Sequence, residues 1–131
     1  MKFVKSARNT NIKTDDGKPC RIQLPSMRVM NKNEFGKIEL EVQMEFLDMW
    51  NPINDAAKEH AKHKWNDNPK DGKFRVQVDE KSMIFNSHAE LEDVDYVDKF
   101  VICMIELKSV YNFKDQSGIT LRVHQMKVSE S

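Results

Sequence analysis

The sequence predicts a mainly β fold, built as a single domain over residues 1–131 with one helix inserted near residues 52–65. Most apolar segments are short and alternate with polar residues, as half-buried strands do. One segment instead repeats its apolar residues every four positions, as a helix does. With 39% hydrophobic and 32% charged residues, the 131-residue chain can bury a core and is too apolar to stay disordered.

The first half of the chain predicts a long hairpin. "CRIQLPSMRVM" is typical of a strand broken at Pro25, which cannot donate a ladder hydrogen bond. "NKNEFGK", with Gly36, has the composition of a turn. In "KIELEVQMEFL", apolar and polar residues then alternate from Ile38 to Phe46, which predicts a half-exposed antiparallel strand.

"NPINDAAKEHAKHKW" predicts the helix. Asn51 or Asn54 can cap its first turn, where Pro52 also fits. An apolar stripe that packs on the sheet is expected from Ile53, Ala57, Ala61 and Trp65.

The second half predicts further strands. "KFRVQV" and "SMIF" indicate two short strands around a tight turn, and the acidic "SHAELEDVDYVDK" indicates a loop or a short helical turn. "FVICMIELKSVY" is nearly all apolar, which predicts a strand covered on both faces. We expect Phe100–Tyr111 to pair antiparallel with Ile119–Val128, giving about six strands in all.

Charge is segregated along the chain although the net charge is zero. Residues 1–37 hold nine basic and three acidic residues, residues 38–106 hold eight and sixteen, and residues 107–131 hold four and two. The basic ends would meet on one face if the first and last strands lie together, which would suit an anionic partner. An uneven solvated surface is the alternative, and whether the basic segment 1–19 is ordered or mobile stays open.

Strands, a mid-chain helix and a long terminal hairpin are the order expected of an oligonucleotide-binding (OB) barrel with a helix between its third and fourth strands, although small sandwiches share it. "IELKSVYNF" and "SGITLRVHQMKV" resemble the C-terminal hairpin of single-stranded DNA-binding proteins of large DNA viruses and T7-like phages. "RIQLPSMRV" resembles an early strand of the viral proteins. The resemblance implies a single OB-like antiparallel barrel and sequence-tolerant single-stranded DNA binding in viral or phage replication, recombination or repair. The ending "KVSES" departs from the long acidic tail that many such proteins carry.

Single-strand binding needs aromatic rings that stack on bases and cations that follow the phosphates. Tyr111 and Phe113 fit the stacking role, with core aromatics as the alternative. Arg122 and His124 are expected to share an exposed strand face with Thr120 and Met126. The candidate nucleic-acid-binding residues are Arg21, Arg28, Lys37, Lys108, Tyr111, Phe113, Lys114, Arg122 and His124.

Other site chemistries lack support in the sequence. His60 and His63 have helical metal-ligand spacing but no third ligand fixed by local spacing, and the acidic residues between 90 and 98 lack calcium-loop spacing. No phosphate-loop, zinc-protease or nucleophile-elbow motif occurs, so we predict no enzyme, metal or cofactor. Cys20 and Cys103 are expected as reduced, buried thiols.

The expected partner is single-stranded DNA, with RNA left open, and the expected location is soluble and intracellular with no membrane. A second copy of the chain or a replication protein is a further candidate partner. The alternative function is a structural or protein-interaction module, such as a virion or assembly component that uses an exposed sheet edge.

Overall fold

The structure is a computed structural model that describes residues 1–129. Within these residues one ten-stranded sheet is accompanied by one helix, which confirms the mainly β prediction. The strands are β1 (Lys2–Ser6), β2 (Asn9–Lys13), β3 (Cys20–Gln23), β4 (Met27–Lys32), β5 (Lys37–Glu41), β6 (Lys64–Trp65), β7 (Lys73–Gln77), β8 (Met83–Phe85), β9 (Phe100–Phe113) and β10 (Gln116–Val128), and α1 is Met44–Lys58. The strand count exceeds the predicted six because β1, β2, β6 and the split at Pro25 add short strands.

The long hairpin of β9 and β10 organises the sheet. The two strands pair antiparallel from Val101 with Val128 to Phe113 with Gln116, which confirms the predicted pairing. Along its other edge, β9 pairs antiparallel with β2, β3 and β4 in turn. β10 pairs in parallel with β6, β7 and β8 along its own outer edge. Short strands therefore line both sides of one long ribbon.

Two β-bulges interrupt this hairpin. Leu121 pairs with Leu107 while Thr120 pairs with Ser109, which leaves Lys108 as an extra residue on β9. His124 is the extra residue on β10, because its neighbours Val123 and Gln125 pair with Ile105 and Met104. A bulge shifts the alternation of side chains by one residue. Met126 is consequently buried, and the prediction that it shares an exposed face with Arg122 and His124 was wrong.

The remaining strands connect the two sides of the ribbon. β4 and β5 form the predicted hairpin, and its turn contains Gly36 at a φ of +83°. β5 pairs antiparallel with β7, β7 pairs with β10, and β4 pairs with β9. The pairings therefore run from β9 through β4, β5 and β7 to β10, which pairs with β9 again.

The helix begins earlier than the sequence predicted. The strand predicted to reach Phe46 ends at Glu41 in β5, and α1 starts at Met44, so the predicted end of this strand was wrong. Gln43 occupies the N-cap position without a side-chain hydrogen bond, and Pro52 lies inside the helix, so neither Asn51 nor Asn54 caps it. Phe46 fits both the alternation of the preceding strand and the helical spacing that follows. The burial of Phe46 together with Trp50 favours the helix over the strand.

An aromatic cluster fixes the helix against the sheet. Phe46 and Trp50 of α1 are fully buried, and their ring centroids lie 4.6 and 4.9 Å from that of Phe74 on β7. The Trp50 indole N–H donates to the carbonyl of Asn68 at 2.9 Å. Trp65, predicted on the helix stripe, instead lies in β6. Ala57 of the predicted stripe is fully buried and Ile53 packs against the core, so the helix packs through Phe46 and Trp50 as well as through this part of the stripe.

β9 is covered on one face only along its first half, contrary to the prediction from its apolar sequence. Val101, Cys103 and Ile105 are buried, whereas Phe100 and Ile102 are 39% and 41% exposed. The acidic segment 87–99 forms no helix or strand beyond an isolated bridge between Phe85 and Leu91, as the loop prediction has it.

Both cysteines are buried and free, as expected from their apolar surroundings. Within residues 1–129, α1 is neither long enough nor apolar enough to cross a membrane.

Candidate nucleic-acid interface

Four of the nine candidate residues line one cleft of about 500 Å³. The cleft lies over β5, β7, β10 and β9 and is bordered by the segment that follows β6. The four residues are Lys37, Lys108, Tyr111 and Arg122. Three of them come from the β9–β10 hairpin, and the pairings of β7 with β5 and β10 bring Lys37 of the remote strand β5 beside them.

The Tyr111 ring lies close against the neighbouring strand β10. It is paired with Gly118 across the β9–β10 ladder, and a Cβ at Gly118 would meet two carbons of the Tyr111 ring at 2.8 and 2.9 Å. The Tyr111 hydroxyl accepts a hydrogen bond of 3.0 Å from the side-chain amide of Asn66. The half-buried Tyr111 ring thus lies close against Gly118 and also lines the cleft.

Arg122 is held by a carboxylate. Its Nε and Nη2 atoms each donate to Asp79 at 2.9 Å, and its side chain is only 11% exposed. These hydrogen bonds from Arg122 hold the pKa of Asp79 well below its ordinary value of 3.8. Asp79 also accepts from the backbone N–H of Lys81 and from the Ser82 hydroxyl. Arg122 therefore ties β10 to the β7–β8 turn and brings little free charge to the cleft.

The free positive charge of the cleft comes from lysines. Neither Lys37 nor Lys108 has an ion pair with any of residues 1–129. Arg75 also lines the cleft but pairs with Glu39 at 3.0 Å, and the carboxylate of Asp67 opposes the lysines. The field of the cleft is consequently only weakly positive.

Exposed phenylalanines lie at two hairpin tips near the cleft. Phe113 is 59% exposed, and the Nζ atom of Lys114 lies 5.5 Å from its ring centroid. Phe35 is 75% exposed in the β4–β5 turn, and its carbonyl accepts 2.6 Å from the side-chain amide of Gln77, a cleft residue. Phe35 was not among the predicted site residues, although an aromatic inside the polar turn "NKNEFGK" was the signal for it.

A buried polar network anchors the tip that carries Tyr111 and Phe113. The Asn112 Oδ1 atom accepts from the backbone N–H of Lys62 at 2.9 Å and from the Ser117 hydroxyl at 2.5 Å. Its Nδ2 atom donates to the carbonyl of Arg8 at 2.9 Å. Asn112 thereby joins the β9–β10 tip to the β1–β2 turn and to the segment after α1. Sequence patterns gave no sign of this role.

The other candidates lie outside the cleft. Arg21 pairs with Glu106 at 3.1 Å, and Arg28 pairs with both Glu41 and Asp98 at 3.1 Å. Their charges are largely compensated where they lie.

His124 is the bulged residue of β10 and also lies outside the cleft. Burial lowers its pKa below the ordinary value, and the positive charges of Arg21 and Arg122 add to that effect. His124 is therefore a neutral imidazole at neutral pH rather than a cation for a phosphate.

A metal site is absent from the described part of the chain, since no three His, Cys, Asp or Glu side chains of residues 1–129 are placed to hold an ion. His60 and His63, considered for metal binding on a predicted helical spacing, both lie beyond the end of α1, and His60 stacks on Phe3 with ring centroids 4.3 Å apart.

Comparisons with protein-family models, with curated proteins and with solved structures return no match to this chain. The geometry and chemistry of the cleft therefore carry the functional argument.

Proposed function

We propose that this chain is a non-enzymatic, sequence-tolerant single-stranded DNA-binding protein with an OB-like barrel. The observation that carries the proposal is the cleft that Tyr111 lines beside Lys37 and Lys108, two lysines without an ion pair to any of residues 1–129. Unpaired bases expose their π-faces to such a ring, whereas the bases of a duplex are stacked on one another. A role in viral or phage replication, recombination or repair rests on the sequence resemblance.

The order of strand pairing supports the OB-like barrel. An OB barrel has five strands in a Greek-key arrangement. The circuit of β4, β5, β7, β10 and β9 has five strands, antiparallel at every junction except the parallel pairing of β7 with β10. Counted from β4, α1 lies between the second and third strands of the circuit, not between the third and fourth as the sequence analysis expected.

The exposed aromatics support the same surface. In OB proteins the face of the second and third strands and the loops between strands one and two and between strands four and five bind oligonucleotides. In the circuit defined above, these loops are the turns that carry Phe35 and Phe113. Each ring that stacks on a base contributes about 1–3 kcal/mol to binding.

Lysine contacts to phosphates are expected to contribute less to the binding free energy than base stacking does. Lys37 and Lys108 line the cleft with Tyr111, Lys114 lies over the Phe113 ring, and Arg122 is neutralised by Asp79. With about three phosphate contacts, the log of the affinity falls against the log of the salt concentration with a slope near −2. A fourfold rise in salt should then weaken binding on the order of 20-fold.

Fluorescence anisotropy with a labelled oligo-dT, a matched duplex and a matched RNA tests the proposal at two salt concentrations. We expect the single strand to bind more tightly than the duplex, with the salt dependence given above. Equal binding of duplex and single strand, or no binding of oligo-dT at low salt, contradicts it. The RNA probe decides between the two single-stranded nucleic acids.

A second candidate, a protein-interaction module, has one observation in its favour. Phe100 and Ile102 are exposed side by side on the outer face of β9 and border a depression of about 240 Å³ with Lys127. An apolar interface at this face would be insensitive to salt, unlike phosphate binding. Ile102→Glu should abolish such an interaction and leave oligo-dT binding unchanged.

A further inference from the structure

A second depression, of about 400 Å³, lies beside the cleft on the face of β2 and β9. Asn11 and Lys13 of β2 line one side of it, and Glu106 and Ser109 of β9 line the other. None of the nine candidate residues except Lys108 belongs to it. The N-terminal hairpin of β1 and β2 had no predicted role apart from its basic charge.

The cleft and the second depression share part of their lining. Lys108 and Thr120 line both of them. Lys108 is the bulged residue of β9, so its side chain lies at a break in the ladder, between the two hollows. A molecule lying in the cleft can therefore continue past Lys108 without leaving the surface.

The strand register gives the direction and the length of the path that leads from the cleft past Lys108 into the second depression. Lys37 of β5 is paired with Gln77 of β7, which is paired with Arg122 of β10. Two residues along β10, Thr120 is paired with Ser109 of β9, which is paired with Asn11 of β2. The path crosses five strands, and with about 4.8 Å between neighbouring strands it extends roughly 20 Å across the sheet.

The chemistry of the second depression suits a phosphate backbone rather than a base. Lys13 forms no ion pair with any of residues 1–129, and Asn11 brings a side-chain amide that can donate to phosphate or sugar oxygens. Glu106, the carboxylate in the lining, is occupied by Arg21 at 3.1 Å. No aromatic side chain is part of the lining.

We infer that the second depression is the continuation of the single-strand site, in which Lys13 and Asn11 hold the phosphodiester backbone of nucleotides that leave the cleft past Lys108. This inference rests on the proposed function. It assigns base stacking to the cleft and backbone contact alone to the N-terminal hairpin. The affinity for long single strands then depends on the hairpin, while the affinity for short ones does not.

Oligo-dT probes of two lengths test it, about 3 and about 15 nucleotides. At about 3.4 Å per nucleotide the short probe covers only about half of the path, and the long probe covers all of it. Lys13→Glu should weaken binding of the long probe about five- to tenfold, the scale of one exposed phosphate contact turned into a repulsion. Binding of the short probe should change less than twofold. Asn11→Ala should weaken the long probe in the same way but by a smaller factor.

Lys5→Glu is the matched control for Lys13→Glu. Lys5 lies exposed on β1 of the same hairpin, carries the same charge, and lines neither the cleft nor the second depression. Thermal melting of each variant confirms that the hairpin stays folded. If Lys5→Glu weakens the long probe as much as Lys13→Glu, or if Lys13→Glu weakens both probes equally, the continuation is refuted while the cleft stands. If the parent protein binds neither probe, the proposed function itself fails.

Discussion

Gly118→Ala is the substitution that most directly tests Tyr111 as a stacking ring. A Cβ at Gly118 would lie 2.7 Å from the Tyr111 hydroxyl oxygen and 2.8 and 2.9 Å from two ring carbons, all closer than real contacts allow. These atoms are the far end of a side chain, and Gly118 does not need the left-handed backbone that favours glycine. The ring should therefore move away from β10 while the strand keeps its pairing.

The expected effects on binding and on stability differ in size. Base stacking on an aromatic ring contributes about 1–3 kcal/mol, so displacement of the ring should weaken oligo-dT binding about 5- to 150-fold. The free energy of unfolding should fall by only about 1 kcal/mol, the low end for overpacking, because the ring can swing towards solvent.

A double-mutant cycle separates this mechanism from general damage. Anisotropy with oligo-dT would compare the parent, Gly118→Ala, Tyr111→Ala and the double variant, with urea unfolding of each. If Gly118→Ala acts by displacing the Tyr111 ring, it should weaken oligo-dT binding less than twofold in the Tyr111→Ala background. Gln125→Ala, on the same strand but outside the cleft, serves as the control and should bind as the parent does.

Two results would refute the reasoning. Equal losses from Gly118→Ala in both backgrounds would mean that the added methyl disturbs β10 itself. Unchanged binding by Gly118→Ala, with the ring signals of labelled tyrosine displaced in the NMR spectrum, would mean that the ring moves and carries no base.

Three further predictions concern the hairpin tips, an ion pair and a thiol. Phe113→Ala and Phe35→Ala should each melt as the parent does and weaken oligo-dT binding by about 1–3 kcal/mol, and a variant that binds as tightly as the parent removes that tip from the site. Because the folded-state pKa of Asp79 is depressed, its stabilisation is present above the ordinary value of 3.8 and is lost as the pH falls below it. Asp79→Asn should lower the free energy of unfolding at neutral pH and should make it fall less between neutral pH and pH values below 3.8. Urea unfolding measured across this pH range tests both effects. Burial raises the pKa of the Cys103 thiol to about 12, so a thiol reagent should label it only in denaturant, and rapid labelling of the native protein would contradict its burial.

Local patterns in the sequence were sufficient for the terminal hairpin and for the β4–β5 hairpin. Both consist of alternating strands joined by turn residues, and their pairing depends on neighbours in the chain. The helix boundary was not predictable in the same way. Phe46 satisfies the period of a strand and of a helix, and only its packing on Trp50 and Phe74 decides between the two.

The candidate site was predictable in part. Tyr111 and Phe113 followed from aromatic residues near a polar tip, and Lys108 and Lys114 followed from their positions beside them. Counting basic residues, however, could not show which of them are compensated. Arg21 pairs with Glu106, which is 85 positions away in the sequence, and only the register of β3 with β9 brings them together.

The bulge at Lys108 explains why Tyr111 reaches the cleft at all. Side chains alternate along a strand with a period of two, so in a regular strand Tyr111 would share the face of the buried Leu107 and point into the core. The extra residue shifts the alternation, so that Val110 and Asn112 are buried and Tyr111 lies opposite Gly118 on the outer face. A single inserted residue thus turns a core aromatic into a surface one. It also places Lys108 between the cleft and the second depression, so one irregularity in β9 supplies both the ring and the cation of the proposed site.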